Sequence, residues 1–316
     1  MHRIGTNLYK NWFKVLYFFA GVLVNIFPKL SLIFYNKALS LYLKKGLRVD
    51  FIDILLDIAI NLDVLGRQDE AIQTYQKAIS INPLEARAYY GLAIICEDKK
   101  EFDKAIEFYK KSIELDPEYS KAYFFIANAC DEGGKKEEAI EYYEKAVQID
   151  PNHFWAYNNL AAVYEEIGKY DKALIAIRKG LEVEPNHFKA LFNAGVIMNK
   201  LGYSNKAIEY YNQSLASNKK YSYTYLNMSV IYLEEDDYEK AIEVISRGIK
   251  NSPKTSFLYY NRACFYAHQG KYDLAVNDLI TATDLSEELE EYMKEDKELD
   301  PLREMDQYRK RFEYLT

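Results

Sequence analysis

Proline and glycine are scarce, at seven and thirteen in 316 residues. That excludes collagen-like and low-complexity chains and leaves little room for long irregular loops. Cysteine is rarer still. Cys96, Cys130 and Cys264 form no CxxC pair, which excludes a disulfide framework and the common zinc spacings. They read as small buried thiols, and reduced thiols fit a cytosolic protein. Of the four histidines, His153 and His187 follow prolines and read as turn residues, so no metal site is expected. No GxGxxG, GxxxxGK, HExxH or GxSxG occurs. Acidic pairs such as Glu137-Glu138 and Glu165-Glu166 read as solvated helix faces rather than acid–base pairs. Neither an enzyme nor a small-molecule cofactor is expected. Positive charge is also short: the net charge is −7, and residues 51–316 alone carry −14. Like charge repels phosphate, so a nucleic-acid partner is not expected.

What is abundant is one pattern. Ala71, Ala105, Ala139, Ala173, Ala207, Ala241 and Ala275 recur every 34 residues, each followed by an aliphatic residue. A proline follows twelve residues later at Pro83, Pro117, Pro151, Pro185 and Pro253, with Lys219 and Glu287 in the other two units. A fixed period means one supersecondary unit stacked on copies of itself. Each unit reads as two helices. In residues 154–187, Tyr157, Leu160, Ala161 and Tyr164 have helical spacing, Gly168 stops the first helix, and Ala173, Leu174, Ile177 and Leu181 form a second stripe. The turn glycine recurs as Gly66, Gly134, Gly202 and Gly270, and Asp69, Asp103, Asp171 and Asp273 read as caps of the second helix. The alanine lets the paired helices approach closely.

The columns resemble the tetratricopeptide repeat. The large column is Leu55, Tyr89, Tyr123, Tyr157, Leu191, Tyr225 and Tyr259; the later aromatic column includes Tyr75, Tyr109, Tyr143 and Tyr211. The resemblance covers about 240 residues, from near Ile52 to near Leu289. It implies an all-α chain, a right-handed α-α superhelical solenoid of seven tetratricopeptide repeats over residues 52–287, with capping helices. Residues 288–316 read as a C-terminal capping helix, with Leu299, Leu302, Met305, Tyr308, Phe312 and Leu315 at helical spacing.

Residues 1–50 differ from the rest. They hold eight basic side chains (Arg3, Lys10, Lys14, Lys29, Lys37, Lys44, Lys45, Arg48) against Asp50. They also hold the apolar run VLYFFAGVLVNI at residues 15–26, short of the roughly 20 residues of a spanning helix. Two readings stand. One is a membrane anchor, interfacial or marginally spanning, in contact with anionic lipid through residues 1–45; the bias of basic residues after the run would then put the repeats in the cytosol. The other is a degenerate capping repeat, since Ala38 and Tyr42 have the spacing of a second helix.

The resemblance implies that first helices line a concave groove that binds extended peptides or partner proteins. Two residues after the large column lie Asn159, Asn193, Asn227 and Asn261, where earlier units hold Asp57, Gly91 and Phe125. Each amide offers an acceptor and two donors, so such a ladder could pair with a peptide backbone whatever its side chains. It resembles the ladder of the tetratricopeptide-repeat glycosyltransferases. Asparagine bonding to neighbouring helices is the competing reading. Arg87, Lys121 and Lys189 lie near the starts of first helices, where Trp155, Tyr223 and Phe257 could anchor apolar side chains. Asn128, Asn159 and Lys189 match three places of the clamp by which chaperone-binding members hold acidic C-termini; Phe124 and Asn193 depart from it. The expectation is a non-catalytic scaffold for a protein or peptide ligand, cytoplasmic and at the cytosolic face of a membrane. The alternatives are a soluble peptide-responsive regulator and a substrate-presenting subunit of an enzyme complex.

Overall fold

A computed structural model describes residues 2–45 and 51–312. Arg48, Asp50 and Leu315 lie outside them, as do the side chains of Arg3, Lys10, Lys44 and Lys45. Among the described residues there are helices and no strand. The chain divides into two compact units, residues 1–152 and 153–316.

Unit 1 runs α1 (His2–Leu23), α2 (Pro28–Lys45), α3 (Phe51–Val64), α4 (Gln68–Ile81), α5 (Ala86–Asp98), α6 (Phe102–Leu115), α7 (Ser120–Glu132) and α8 (Lys136–Ile149). Unit 2 runs α9 (Phe154–Glu166), α10 (Tyr170–Val183), α11 (Phe188–Lys200), α12 (Ser204–Ser217), α13 (Ser222–Glu234), α14 (Tyr238–Asn251), α15 (Ser256–His268) and α16 (Tyr272–Leu285). The short helices α17 (Leu289–Glu295), α18 (Asp300–Arg303) and α19 (Asp306–Phe312) follow, with a 3-10 turn at Lys297–Leu299. Within each unit, successive helices from α1 to α16 pack on one another.

The alanine column explains the helix pairs. All seven alanines are fully buried. The serine, alanine and glycine column seven residues on is equally closed, with Ala78, Ser112, Ala146, Ser214 and Ala282 at 0% exposure. Tyr109, Tyr143 and Tyr211 are buried in full. The turn inside each pair is one repeated device. The backbone N–H of Arg67, Glu101, Lys135, Lys169, Tyr203, Asp237 and Lys271 each bonds the carbonyl five residues back at 2.7–2.9 Å. Such a closure needs the intervening residue at positive φ, which glycine adopts without a Cβ clash. Gly66, Gly134, Gly168, Gly202 and Gly270 take it. Two units have no glycine there, yet Lys100 (φ 58) and Asp236 (φ 59) adopt the same conformation.

The aspartates read as caps are corrected by this geometry. Asp69, Asp103, Asp171 and Asp273 sit one residue inside α4, α6, α10 and α16, whose N-cap residues make no side-chain cap bond. From that position they favour the helix through its N-terminal dipole instead. Among these second helices, Asp237 is an N-cap whose carboxylate accepts, from Lys240 N–H at 3.1 Å.

The ends are closed by different means. In unit 1, α1 and α2 form a hairpin whose Phe13, Ala20, Leu32, Tyr35 and Ala38 join one core with Ile54, Leu55, Ile58 and Leu62 of α3. Ser31 Oγ–H donates to the Ala20 carbonyl at 2.7 Å, and Asn61 Nδ2 donates to Ser31 Oγ at 2.6 Å, tying the three helices. Among the described residues no helix is long and apolar enough to cross a membrane. In unit 2 the closing segment is several short helices rather than one, because Pro301 begins a new helix at its first turn. Met293, Leu299, Leu302, Tyr308 and Phe312 are all fully buried against α15 and α16.

Candidate functional site

In unit 2, the first helices α9, α11, α13 and α15 carry the asparagine column, all half-buried. The four do not behave alike. Asn193 Nδ2 donates to Asn158 Oδ1 at 3.1 Å, and Asn158 Nδ2 donates to Asn159 Oδ1 at 3.2 Å. These three amides form one network between α9 and α11, in part the reading of bonds to a neighbouring helix. Asn227 and Asn261 instead donate to the carbonyls of Tyr223 and Phe257, four residues back on their own helices, at 3.0 and 2.7 Å. Each such bond uses one of the amide's two N–H donors. Asn158, 5% exposed, escaped the sequence reading because it is the one polar residue in a column otherwise held by Leu56, Tyr90, Phe124, Phe192, Leu226 and Tyr260.

Beside the asparagines runs an aromatic row. Trp155 meets His187 edge-on at 5.0 Å, His187 stacks with Phe188 at 5.3 Å, and Phe188 meets Tyr221 at 4.9 Å. Tyr221 then meets Tyr223 at 5.8 Å, and Tyr223 stacks on Phe257 at 5.0 Å. Trp155 and Tyr223 are exposed, at 41% and 52%. Lys189 Nζ sits 5.6 Å above the Trp155 ring, a cation–π contact. The structure thus brings Trp155 and Lys189 together, and Tyr223 with Phe257. His187, which read as a turn residue, joins this row. Its Nδ1 is buried without a hydrogen-bond partner, and burial lowers its pKa. Phe257 and Asn261 also line a cavity of about 450 Å³ with Tyr260, Leu289 and Tyr292.

Unit 1 carries the same columns with different chemistry. Arg87 Nη2 lies 2.9 Å from Asp53 Oδ1 and its Nε 2.6 Å from Glu85 Oε1. Lys121 is exposed on α7, and Asn128 accepts from Tyr143 OH at 2.5 Å. At the asparagine position stand Asp57, Gly91 and Phe125. Tyr17 donates to Asp57 Oδ2. Tyr90 packs against Tyr119 at 5.0 Å and Phe125 at 5.7 Å. Near the helix ends, Tyr109 donates to Glu97 at 2.6 Å, and burial raises the Glu97 carboxyl above its usual range.

Models of the tetratricopeptide repeat match residues 86–119, 120–153, 142–175, 188–221, 222–255 and 258–289, and a TPR repeat model matches 65–100. The chain belongs to the tetratricopeptide repeat family. No curated protein matches it. Among solved structures, a tetratricopeptide repeat protein from Parabacteroides merdae is 18% identical, with TM-score 0.63, over 77% of this chain and 97% of that one. The APC/C hetero-tetramer Cut9-Hcn1 is 17% identical, with TM-score 0.57, over 85% of this chain and 52% of that one. These two show the fold. A MamA protein is 27% identical, with TM-score 0.49, over 54% of this chain and 92% of that one. As a tetratricopeptide repeat protein the chain is a protein-interaction scaffold in fold, a class that presents extended binding surfaces.

Proposed function

We propose that this tetratricopeptide repeat protein is a non-catalytic scaffold whose unit 2 holds an extended partner segment on the first-helix face. The observation that carries the reading is the pairing of amides with an aromatic row on that face. Asn227 and Asn261 keep hydrogen-bonding capacity for a backbone, while exposed Trp155 and Tyr223 receive apolar side chains. Aromatic anchors of this kind supply most of the energy in protein interfaces. Each amide contact contributes about 0.5–1.5 kcal/mol, so a single Asn→Ala change shows little. The fourfold variant Asn159→Ala, Asn193→Ala, Asn227→Ala, Asn261→Ala should lose captured partners while its circular dichroism stays helical. Unchanged recovery by a folded variant rejects the reading.

A second reading concerns residues 1–45, with one observation in its favour. Trp12, Val15, Phe19, Val22 and Ile26 form an exposed stripe along and just past α1, continued by Phe27, Leu30 and Ile33. Exposed Lys14, Lys29 and Lys37 accompany it, and no acid occurs before Asp50. Apolar rings beside ammonium groups suit the interface of an anionic bilayer, with the hairpin lying on the surface. The full chain should sediment with phosphatidylserine vesicles and detach as salt rises. Equal sedimentation of a Trp12→Glu, Phe19→Glu variant counts against it.

A further inference from the structure

We propose that the unit 1 cavity bounded by α1, α3, α4 and α5 takes a guanidinium or alkylammonium head on an apolar stem, the side chain of an arginine or lysine in a partner segment. The site stands on unit 1 alone and is independent of the asparagine face of unit 2.

The cavity encloses about 450 Å³, with Tyr17, Tyr75, Tyr90 and Tyr119 among its walls. Aromatic faces carry negative quadrupole potential and attract cations. Gly91 makes the arrangement possible. A Cβ there would stand 2.2 Å from the Tyr75 ring, so only glycine lets that ring lie across α5. The charge balance points the same way. Asp53 and Asp57 line the cavity with Arg87. Arg87 is already matched by Asp53 and Glu85. Among the described residues no salt bridge reaches Asp57; its bond is the one from the Tyr17 hydroxyl. Burial accordingly raises the Asp57 carboxyl above its usual range.

The geometry discriminates among ligands. An anion would meet Asp57 in a partly dry site. A neutral apolar group would leave that half-buried carboxylate with the Tyr17 bond and only a share of Arg87, which Asp53 and Glu85 already engage. A cation on a methylene stem satisfies both parts: Leu56, Ile60 and Ile94 receive the stem, and Asp57 and the rings receive the head.

The test is fluorescence anisotropy of the full chain with a labelled decapeptide carrying one leucine-flanked arginine. A second peptide replaces the arginine with citrulline, which keeps the shape and drops the charge. Free butylguanidinium serves as a competitor. The arginine peptide should bind roughly tenfold tighter than the citrulline peptide, and Asp57→Asn should remove about that factor. Tyr90→Leu should weaken binding by a few-fold, up to about tenfold, through the lost ring face. The Asp57→Asn change is close to isosteric, so its circular dichroism should match the wild type. Weaker binding of butylguanidinium than of the peptide supports a side chain within a partner. Equal binding by butylguanidinium overturns the peptide assignment. Equal binding of the two peptides, wild-type binding by folded Asp57→Asn, or no binding of the arginine peptide overturns the site. The unit 2 capture experiment touches other residues, so either proposal can fail alone.

Discussion

At one column of the repeat, unit 2 carries Asn159, Asn193, Asn227 and Asn261, while unit 1 carries Asp57, Gly91 and Phe125. The backbone around the column is the same in both: a first helix of similar length, a positive-φ turn and a buried alanine in the next helix. The packing columns therefore fix the scaffold, while this column varies chemically, with Gly91 itself held by the close approach of the Tyr75 ring. In unit 2 it presents amides, proposed above to hold a partner's backbone. In unit 1 it borders a cavity lined by Asp53, Asp57, Arg87 and several rings, the site proposed above for a cation. A repeat protein separates these tasks because its core lies in the contacts between neighbours rather than at the groove positions.

The largest effect should come from the part the units share. Ala139 of unit 1 and Ala207 of unit 2 are both fully buried between paired helices. Replacing either with leucine should overpack the pair and cost about 1–3 kcal/mol. Hydrogen exchange should show lost protection first in the altered pair and its neighbours. Thermal unfolding like that of wild type in one variant alone would show that the units do not use the column alike.

This part of the molecule was legible in the sequence. Alanine, large aromatic and turn glycine each repeat at 34 residues because close helix packing and a left-handed turn admit few residue types. The ends and the sites were less legible. Residues 288–316, expected as one capping helix, show the buried Leu299 and Leu302 by spacing, yet Pro301 begins a new helix among them. Asn158 is the lone polar exception in an otherwise apolar column, and the Tyr17–Asp57 contact joins the first repeat to a residue forty positions earlier, outside the repeats. The second contact depends on how the α1–α2 hairpin seats against α3, which periodicity does not encode.

The chemical contrast can be tested by stability at Asp57. Its folded-state pKa is raised, chiefly by burial, with Asp53 adding to the rise and the Tyr17 bond and Arg87 opposing it. A raised carboxyl binds its proton more tightly in the folded state than in the unfolded one. Stability from this group is thus lowest above the folded pKa, and recovers as pH falls through it toward the unfolded value. Asp57→Asn should therefore be neutral or stabilising at pH 7, by less than the about 1 kcal/mol typical of single substitutions. The advantage should shrink in mildly acidic buffer. Urea unfolding at pH 7 and pH 5 checks both signs. A variant less stable than wild type at pH 7 would mean that the carboxylate stabilises the hairpin, and the contrast between an amide column and a strained charge would fail. Gain in stability with loss of arginine-peptide binding would sharpen it.

The smallest effect concerns the turns, where each unit has one exception. Lys100 in unit 1 and Asp236 in unit 2 hold the positive φ that glycine holds at the other five turns. A left-handed conformation costs a residue with a Cβ about 1–2 kcal/mol, less for aspartate, whose short polar side chain bonds locally. Replacement by glycine removes that cost. It also raises the entropy of the unfolded chain, which opposes part of the gain. Lys100→Gly should accordingly stabilise unit 1 by about 0.5–1 kcal/mol, and Asp236→Gly should change unit 2 by only a few tenths. The Lys100 change also removes a charge near Glu97 and Asp98, so Lys100→Asn is the companion variant, expected to fall between lysine and glycine. Thermal unfolding of the three variants gives the order. Equal gains at both turns would show that the turn conformation, not the residue's own tolerance of it, sets the cost.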